Sequence, residues 1–109
     1  MKIIIHQDSL SQRGDSQNAE YVAKLLKEFF DIPSLIVAPK NNQNNFDRIK
    51  ELRNRGFSVS IYNDLNSLWD ISKKFNTTHA YFMNNGRYSN VWIPDTFHLT
   101  HAEIGRAHV

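Results

Sequence analysis

The stretch that decides the fold is Met1 to Phe30, MKIIIHQDSLSQRGDSQNAEYVAKLLKEFF. It opens with Lys2 to His6, a short apolar run rich in β-branched residues, which is typical of a strand buried in a parallel sheet. A polar loop follows at Gln7 to Ser16, and an amphipathic helix is expected over Gln17 to Phe30. A strand, a loop and a helix in this order form the first unit of an α/β fold.

The predicted helix has one apolar face, because apolar side chains recur with the spacing i, i+3, i+4 and i+7. These side chains are Val22, Leu25, Leu26 and Phe29. We expect Asp15 or Ser16 to cap the helix by accepting a hydrogen bond from one of its N–H groups. The loop then lies at the carboxyl end of a strand and the amino end of a helix. Open α/β sheets bind ligands there, because unpaired N–H groups and the helix dipole favour phosphate or carboxylate.

The rest of the chain continues this alternation. Further strands are predicted at Ser34–Ala38, Phe57–Tyr62, Thr78–Met83 and Thr96–Ala102, and further helices at Phe46–Arg55 and Leu65–Phe75. The order β-α-β-α-β-α-β-β predicts an α/β fold, three-layered and Rossmann-like, with a mainly parallel sheet and helices on both faces. The third strand alternates apolar residues with serine, so we expect it at an edge of the sheet.

The two later helices have recognisable amino ends. Asn44 or Asn45 should cap the second helix, and Asn63 or Asp64 the third. Gly56 is a stop signal after the second helix. The residues expected on the inner face of the second helix are Phe46, Ile49 and Leu52.

The composition indicates to which broad class of protein the chain belongs. The 109 residues suffice for one domain, and an apolar share of 40% suits a globular core. A net charge of +2 with scattered basic residues does not favour a nucleic-acid partner. The chain has no cysteine, and Met1 leads directly into a short strand rather than a signal or membrane-spanning segment. We therefore expect a cytoplasmic protein without a transmembrane segment.

The last seven residues, Glu103 to Val109, differ from the rest because they have no hydrophobic period. They resemble the translation of one frame of a DNA-sequencing adapter. We therefore expect residues 103–109 to be a non-native tail, and residues 1–102 to be part of an amino-terminal domain that belongs to a longer protein.

Two predicted loops could carry chemistry at one rim of the sheet. The first loop has a single glycine, Gly14, and lacks the glycine spacing of a dinucleotide fingerprint or a Walker loop. Asn84, Asn85 and Gly86 follow the fourth strand, and Gly86 permits positive φ and the close approach of a ligand. His98 and His101 lie three residues apart on a predicted strand, so they face opposite sides, and no metal site is expected.

Several stretches resemble the amino-terminal part of a bacterial and viral group of GT-B glycosyltransferases. They are MKIxIH at the start, the LSxRGDxxNA run at Leu10–Ala19, SLIV at Ser34–Val37, the third strand within Arg53–Tyr62, YFMNNG at Tyr81–Gly86 and FHLTHA at Phe97–Ala102. The resemblance covers residues 1–102.

The resemblance implies a complete enzyme that transfers a sugar from a nucleotide-sugar donor to a glycosyl acceptor between two domains. Such enzymes generally need no metal or other cofactor, and the carboxyl-terminal domain, which this chain lacks, holds the nucleotide. The implied substrate-binding residues are Arg13, Gly14, Asp15, Asn18, Asn85 and Gly86, and the implied catalytic residue facing the reacting sugar is His101. On this interpretation the chain alone is an inactive fragment.

A small flavodoxin- or receiver-like binding module is the alternative. A receiver needs paired acidic residues after its first strand and an aspartate that ends the third. Here the first strand ends in His6-Gln7-Asp8 and the third in Tyr62-Asn63. A flavodoxin needs a tighter, Ser/Thr-rich phosphate loop than Ser9 to Ser16 offers.

Overall fold

A computed structural model describes residues 1–11, 14–83 and 91–100, apart from the side chains of Asp15 and Thr100. The strands are β1 (Ile3–His6), β2 (Ser34–Pro39), β3 (Val59–Tyr62), β4 (His79–Phe82) and β5 (Phe97–Thr100), and the helices are α1 (Gly14–Phe30), α2 (Phe46–Asn54) and α3 (Leu65–Phe75). Every predicted strand and helix is present, with bounds that differ from the prediction by up to three residues.

The five strands form one sheet in the order β3-β2-β1-β4-β5. Each neighbouring pair is parallel, and Ile4 lies beside Leu35 on one side and Ala80 on the other. The fold is therefore α/β and Rossmann-like, as predicted, and β3 is an edge strand. The order is the Rossmann order rather than the 2-1-3-4-5 order of flavodoxins and receivers.

Helices cover both faces of the sheet and divide the core into two clusters. The first cluster joins sheet residues such as Ile5 and Ile36 to Ala19 and Ala23 of α1 and to Leu52 of α2. The second cluster lies on the opposite face. It contains Ile4, Val37, Leu68, Ala80, Phe82 and Ile93, so α3 covers this side. The three-layer prediction is confirmed.

Local hydrogen bonds set the ends of the two later helices. Asn45 caps α2, its side chain accepting from the backbone N–H of Arg48 at 3.0 Å. Asp64 caps α3 in a capping box with Ser67. Asn76 ends α3 in the left-handed region, with φ of 58°. These caps satisfy N–H and C=O groups that a helix end leaves without partners within the helix.

The first helix differs from its prediction in two ways. It begins at Gly14, so Asp15 and Ser16 lie within its first turn and are not caps. Phe29, expected on the inner face, is 72% exposed. The buried positions are Ser16, Ala19 and Ala23, at spacing i, i+3 and i+7. Alanines at these positions let the helix backbone pack closely on the sheet, and Val22 and Leu26 of the predicted apolar face are partly buried against the same cluster.

One residue predicted on the inner face of α2 is exposed instead. Ile49 and Leu52 are buried as expected, whereas Phe46 is 80% exposed. Phe46 is the first residue of α2, and it lies at the carboxyl edge of the sheet instead of in the core.

Candidate functional site

The strand order reverses between β1 and β4, since the chain proceeds from β1 to β2 and β3 and then returns to β4. His6 and Phe82 are the last paired residues of these two strands. The backbone N–H of Met83 donates to the His6 carbonyl at 3.0 Å, and that of Gln7 donates to the Val37 carbonyl at 2.9 Å. The connections leave toward opposite faces at such a reversal, and the crevice between them is where open α/β sheets bind ligands.

Helix α1 begins at this edge of the sheet, directly after the β1–α1 loop. Gly14 is its first residue and is exposed. Apart from its chain neighbours and the backbone of its own helix, no heavy atom of the described residues would lie within 4 Å of a Cβ atom added to Gly14. Among these residues, the space beside the Gly14 backbone is open. An exposed helix amino end with open space beside it is suited to accept an anionic group.

The β1–α1 loop is buried where it leaves the sheet. Gln7, Asp8, Ser9 and Leu10 are each less than a tenth exposed. The Gln7 Oε1 atom has no hydrogen-bond partner among the residues that the structure describes. A buried acceptor without a donor is costly. Sequence reasoning placed Gln7 in this loop but did not select it as a site residue, because its burial depends on tertiary packing.

The β2–α2 loop holds the β1–α1 loop in place through asparagine side chains. Asn44 Oδ1 accepts from the Leu10 backbone N–H at 2.8 Å, and the Asn45 backbone N–H donates to the Leu10 carbonyl at 2.8 Å. Asn41 Nδ2 donates to the Asp8 carbonyl at 2.9 Å. Asparagines of the β2–α2 loop therefore brace the rim of the candidate site.

A buried arginine fixes the first turn of α1. Arg48 of α2 donates from Nε to Ser16 Oγ at 3.0 Å and from Nη2 to Glu20 Oε1 at 3.1 Å. Arg55 also donates to Glu20, at 2.8 Å. Only 7% of the Arg48 side chain is exposed, so these bonds replace its hydration. The amino end of α1 is thereby tied to α2.

His6 lies beneath the crevice with its ring in the core. It is 1% exposed, and its Nε2 is 2.6 Å from the Tyr62 hydroxyl oxygen. Burial lowers the pKa of His6 from 6.5 to about 4, because the charged imidazolium is poorly solvated there. A neutral histidine bonded to Tyr62 has a structural role, and its lack of exposure does not favour a general base.

The structure describes only part of the predicted substrate-binding set. Gly14 and the exposed Asn18 both lie in the first two turns of α1, and the backbone of Asp15 lies between them. The remaining residues lie outside the described part of the chain. They are Arg13, Asn85, Gly86 and the predicted catalytic residue His101.

The other histidines in the described ranges have structural contacts. His98 bonds the carbonyl oxygen of Ile93 at 3.0 Å, and His79 bonds Thr78 and lies against the ring of Phe97. Among the described residues no group of three potential metal ligands comes together. In the same ranges, no helix has both the length and the apolar character needed to cross a bilayer.

No protein-family model, curated protein or solved structure matches this chain.

Proposed function

We propose that this chain is the amino-terminal part of a GT-B glycosyltransferase. The complete enzyme would transfer a sugar from a nucleotide-sugar donor to a glycosyl acceptor in the cleft beside the carboxyl edge of the sheet. The acceptor hydroxyl would attack the anomeric carbon and give its proton to a base or to the departing diphosphate. The bond from that carbon to the phosphate oxygen would break. The proposal includes a cytoplasmic location, a second domain that holds the nucleotide, and no bound cofactor.

The observation that carries the proposal is the position of the α1 amino end. The helix that follows β1 begins at Gly14, and β1 is the strand at which the sheet order reverses. The backbone beside Gly14 is open to a ligand. N–H groups of a helix amino end can stabilise the charge that develops on a departing nucleoside diphosphate. Preorganised groups of this kind often account for much of the rate enhancement of an enzyme.

The β1–α1 loop beside this helix end is held by hydrogen bonds from Asn41 and Asn44 to the backbone at Asp8 and Leu10. A loop that is already ordered loses little conformational entropy when a ligand binds.

The roles of the other proposed residues rest on the sequence resemblance. Asn18 would meet a substrate hydroxyl from the second turn of α1. Asp15 is better suited to an acceptor hydroxyl than to the donor diphosphate, because like charges repel. Arg13, Asn85 and Gly86 would complete the rim, and His101 would face the reacting sugar.

The strand order favours this proposal over a flavodoxin- or receiver-like module. Those proteins place their third strand next to the first, whereas here β4 lies next to β1 and β3 lies at an edge.

Gly14→Val tests the proposal directly. The added side chain should fit the open space without loss of folding, yet it should block the approach of a phosphate to the backbone. We expect uridine diphosphate at millimolar concentration to shift the amide signals of residues 14–17 in the ¹⁵N-labelled chain, and we expect Gly14→Val to abolish the shifts. Gly14→Ala, with a smaller side chain, is the matched variant and should retain part of them.

In a complete two-domain enzyme, Gly14→Val should lower kcat by about 100-fold or more, as the loss of one preorganised donor does elsewhere. Its melting temperature should stay within a few degrees of the unmodified enzyme. Equal turnover by the two enzymes would mean that the loop is only a connection, and the proposal would fail.

A further inference from the structure

A second concave surface lies at the carboxyl edge, beyond the β1–α1 loop. It is an open groove of about 790 Å³ at the ends of β2 and β3. Phe46, Ile61, Lys40, Asn42 and Asn63 contribute to its lining. We call these five residues and the space between them the Phe46 groove.

The most conspicuous feature of the Phe46 groove is its exposed aromatic ring. Phe46 is 80% exposed at the start of α2, although its neighbours Ile49 and Leu52 on the same helix are buried. Ile61 of β3 is half-buried and adds a second apolar side chain. An exposed phenyl ring next to an aliphatic side chain offers a flat apolar contact surface.

Amide side chains surround this apolar surface. Asn42 and Asn63 are exposed, and the side-chain amide of neither makes a hydrogen bond within the part of the chain that the structure describes. Each amide offers one acceptor and two donors to a ligand. Lys40 is the single charged residue among those that line the groove.

Part of the groove lining is held by hydrogen bonds. Asn41 and Asn44 also line it, but their side chains bond the backbone at Asp8, Leu10 and Pro39 over distances of 2.8 to 3.2 Å. These bonds hold the β2–α2 loop in one conformation and connect the groove to the rim of the candidate site. A preformed surface loses little conformational entropy when a ligand binds.

We propose that the Phe46 groove binds a neutral saccharide, with one face of a sugar ring on Phe46 and its hydroxyl groups on Asn42 and Asn63. A pyranose ring presents C–H groups on one face and hydroxyls around its edge, which matches an aromatic ring bordered by amides. The choice of a saccharide rests on the proposed function, in which this ligand is the glycosyl acceptor.

The residues that line the groove do not suit a nucleic acid, a polyanion or an apolar peptide helix. A nucleic acid or a polyanion needs several cations, and Lys40 is the single cation among the described residues that line the groove. An apolar peptide helix needs a longer row of apolar side chains than Phe46, Ile49 and Ile61 supply.

Saturation-transfer NMR tests the proposal with methyl glycosides of glucose, galactose, mannose and N-acetylglucosamine. At roughly 20 mM these probes reveal dissociation constants in the millimolar range. We expect at least one of them to receive saturation on its ring protons and to shift the amide signals of residues 40–46, 61 and 63. Phe46→Ala should weaken that binding about tenfold, whereas Phe46→Trp should retain it.

Phe29→Ala is the matched control, because Phe29 is 72% exposed on α1 and does not line the groove. It should bind the glycoside as the unmodified chain does. Absence of binding by all four glycosides would overturn the proposal, as would equal binding by Phe46→Ala. Glycoside binding without any effect of uridine diphosphate on residues 14–17 would uphold the groove and count against the transferase.

Discussion

His6 illustrates how one side chain can make stability depend on pH. The residue is 1% exposed and its pKa is lowered to about 4 by burial, whereas an unfolded histidine titrates near 6.5. Between these two values the unfolded chain binds a proton that the folded chain does not. Protonation of His6 therefore favours unfolding. The contribution of neutral His6 to the free energy of unfolding is complete above about pH 6.5 and is lost as the pH falls toward 4.

We expect the free energy of unfolding to fall by about 2 kcal/mol between about pH 7.5 and pH 5 on account of His6. Urea unfolding at the two pH values measures this. His6→Gln should remove most of the decrease, because the substituted side chain does not titrate. His98→Gln, at an exposed position, should retain it. An unchanged decrease in His6→Gln would assign the pH dependence to other groups.

Arg48 stabilises the fold through buried hydrogen bonds between α2 and α1. Its side chain is buried between Ser16 and Glu20, and its removal takes one hydrogen bond from each of them and leaves a space in the packing of α1 on α2. Arg48→Ala should lower the free energy of unfolding by about 2–3 kcal/mol. Arg55→Ala is the control, since 53% of that side chain is exposed, and it should cost less than about 1 kcal/mol. Equal losses in chemical denaturation would contradict the role given to Arg48.

At the scale of elements, the β2–α2 loop depends on its asparagines. Asn44 bonds both Leu10 of the β1–α1 loop and the Pro39 carbonyl at the end of β2. Asn44→Ala should cost about 1–2 kcal/mol and should speed amide hydrogen exchange at Leu10. Asn42→Ala, at an exposed neighbour without a side-chain bond among the described residues, should change neither quantity. Unaltered exchange at Leu10 in Asn44→Ala would show that the two loops are not coupled.

At the scale of the whole molecule, the sheet has a protected centre and two edges. The radius of gyration of the chain is 13.0 Å, close to the roughly 13 Å expected of a compact domain of this length. β1, β2 and β4 have neighbours on both sides and are buried by helices on both faces, whereas β3 and β5 lie at the ends of the strand order.

Hydrogen exchange should therefore be slowest at central strand amides such as Ile4, Ile36 and Tyr81, and faster at Ser60 of β3. NMR measurements of amide exchange over hours give the exchange rates of these amides directly. Exchange at Ser60 as slow as at Ile4 would mean that the edge strand is protected by a contact outside this sheet.

Features that depend on residues close together in the chain could be predicted from the sequence. The alternating pattern identified each strand and helix, the bounds of α3 were predicted as Leu65–Phe75, and Asn45 and Asp64 were among the predicted caps. The β-branched run at Ile3 to Ile5 marked a central strand. These features depend on hydrogen bonds and side-chain spacing within a few residues, and both can be inferred from the residue types and their order.

Only the tertiary structure decided the contacts between distant parts of the chain. His6 meets Tyr62 across 56 positions, and Leu10 meets Asn44 across 34. The exposure of Phe46 and the burial of Gln7 likewise depend on which strands are neighbours and on how closely α1 and α2 pack on the sheet. Periodicity shows that a helix has an inner face but does not specify how it is rotated against the sheet. Small residues such as Ala19 and Ala23 set that rotation, because they allow the closest approach.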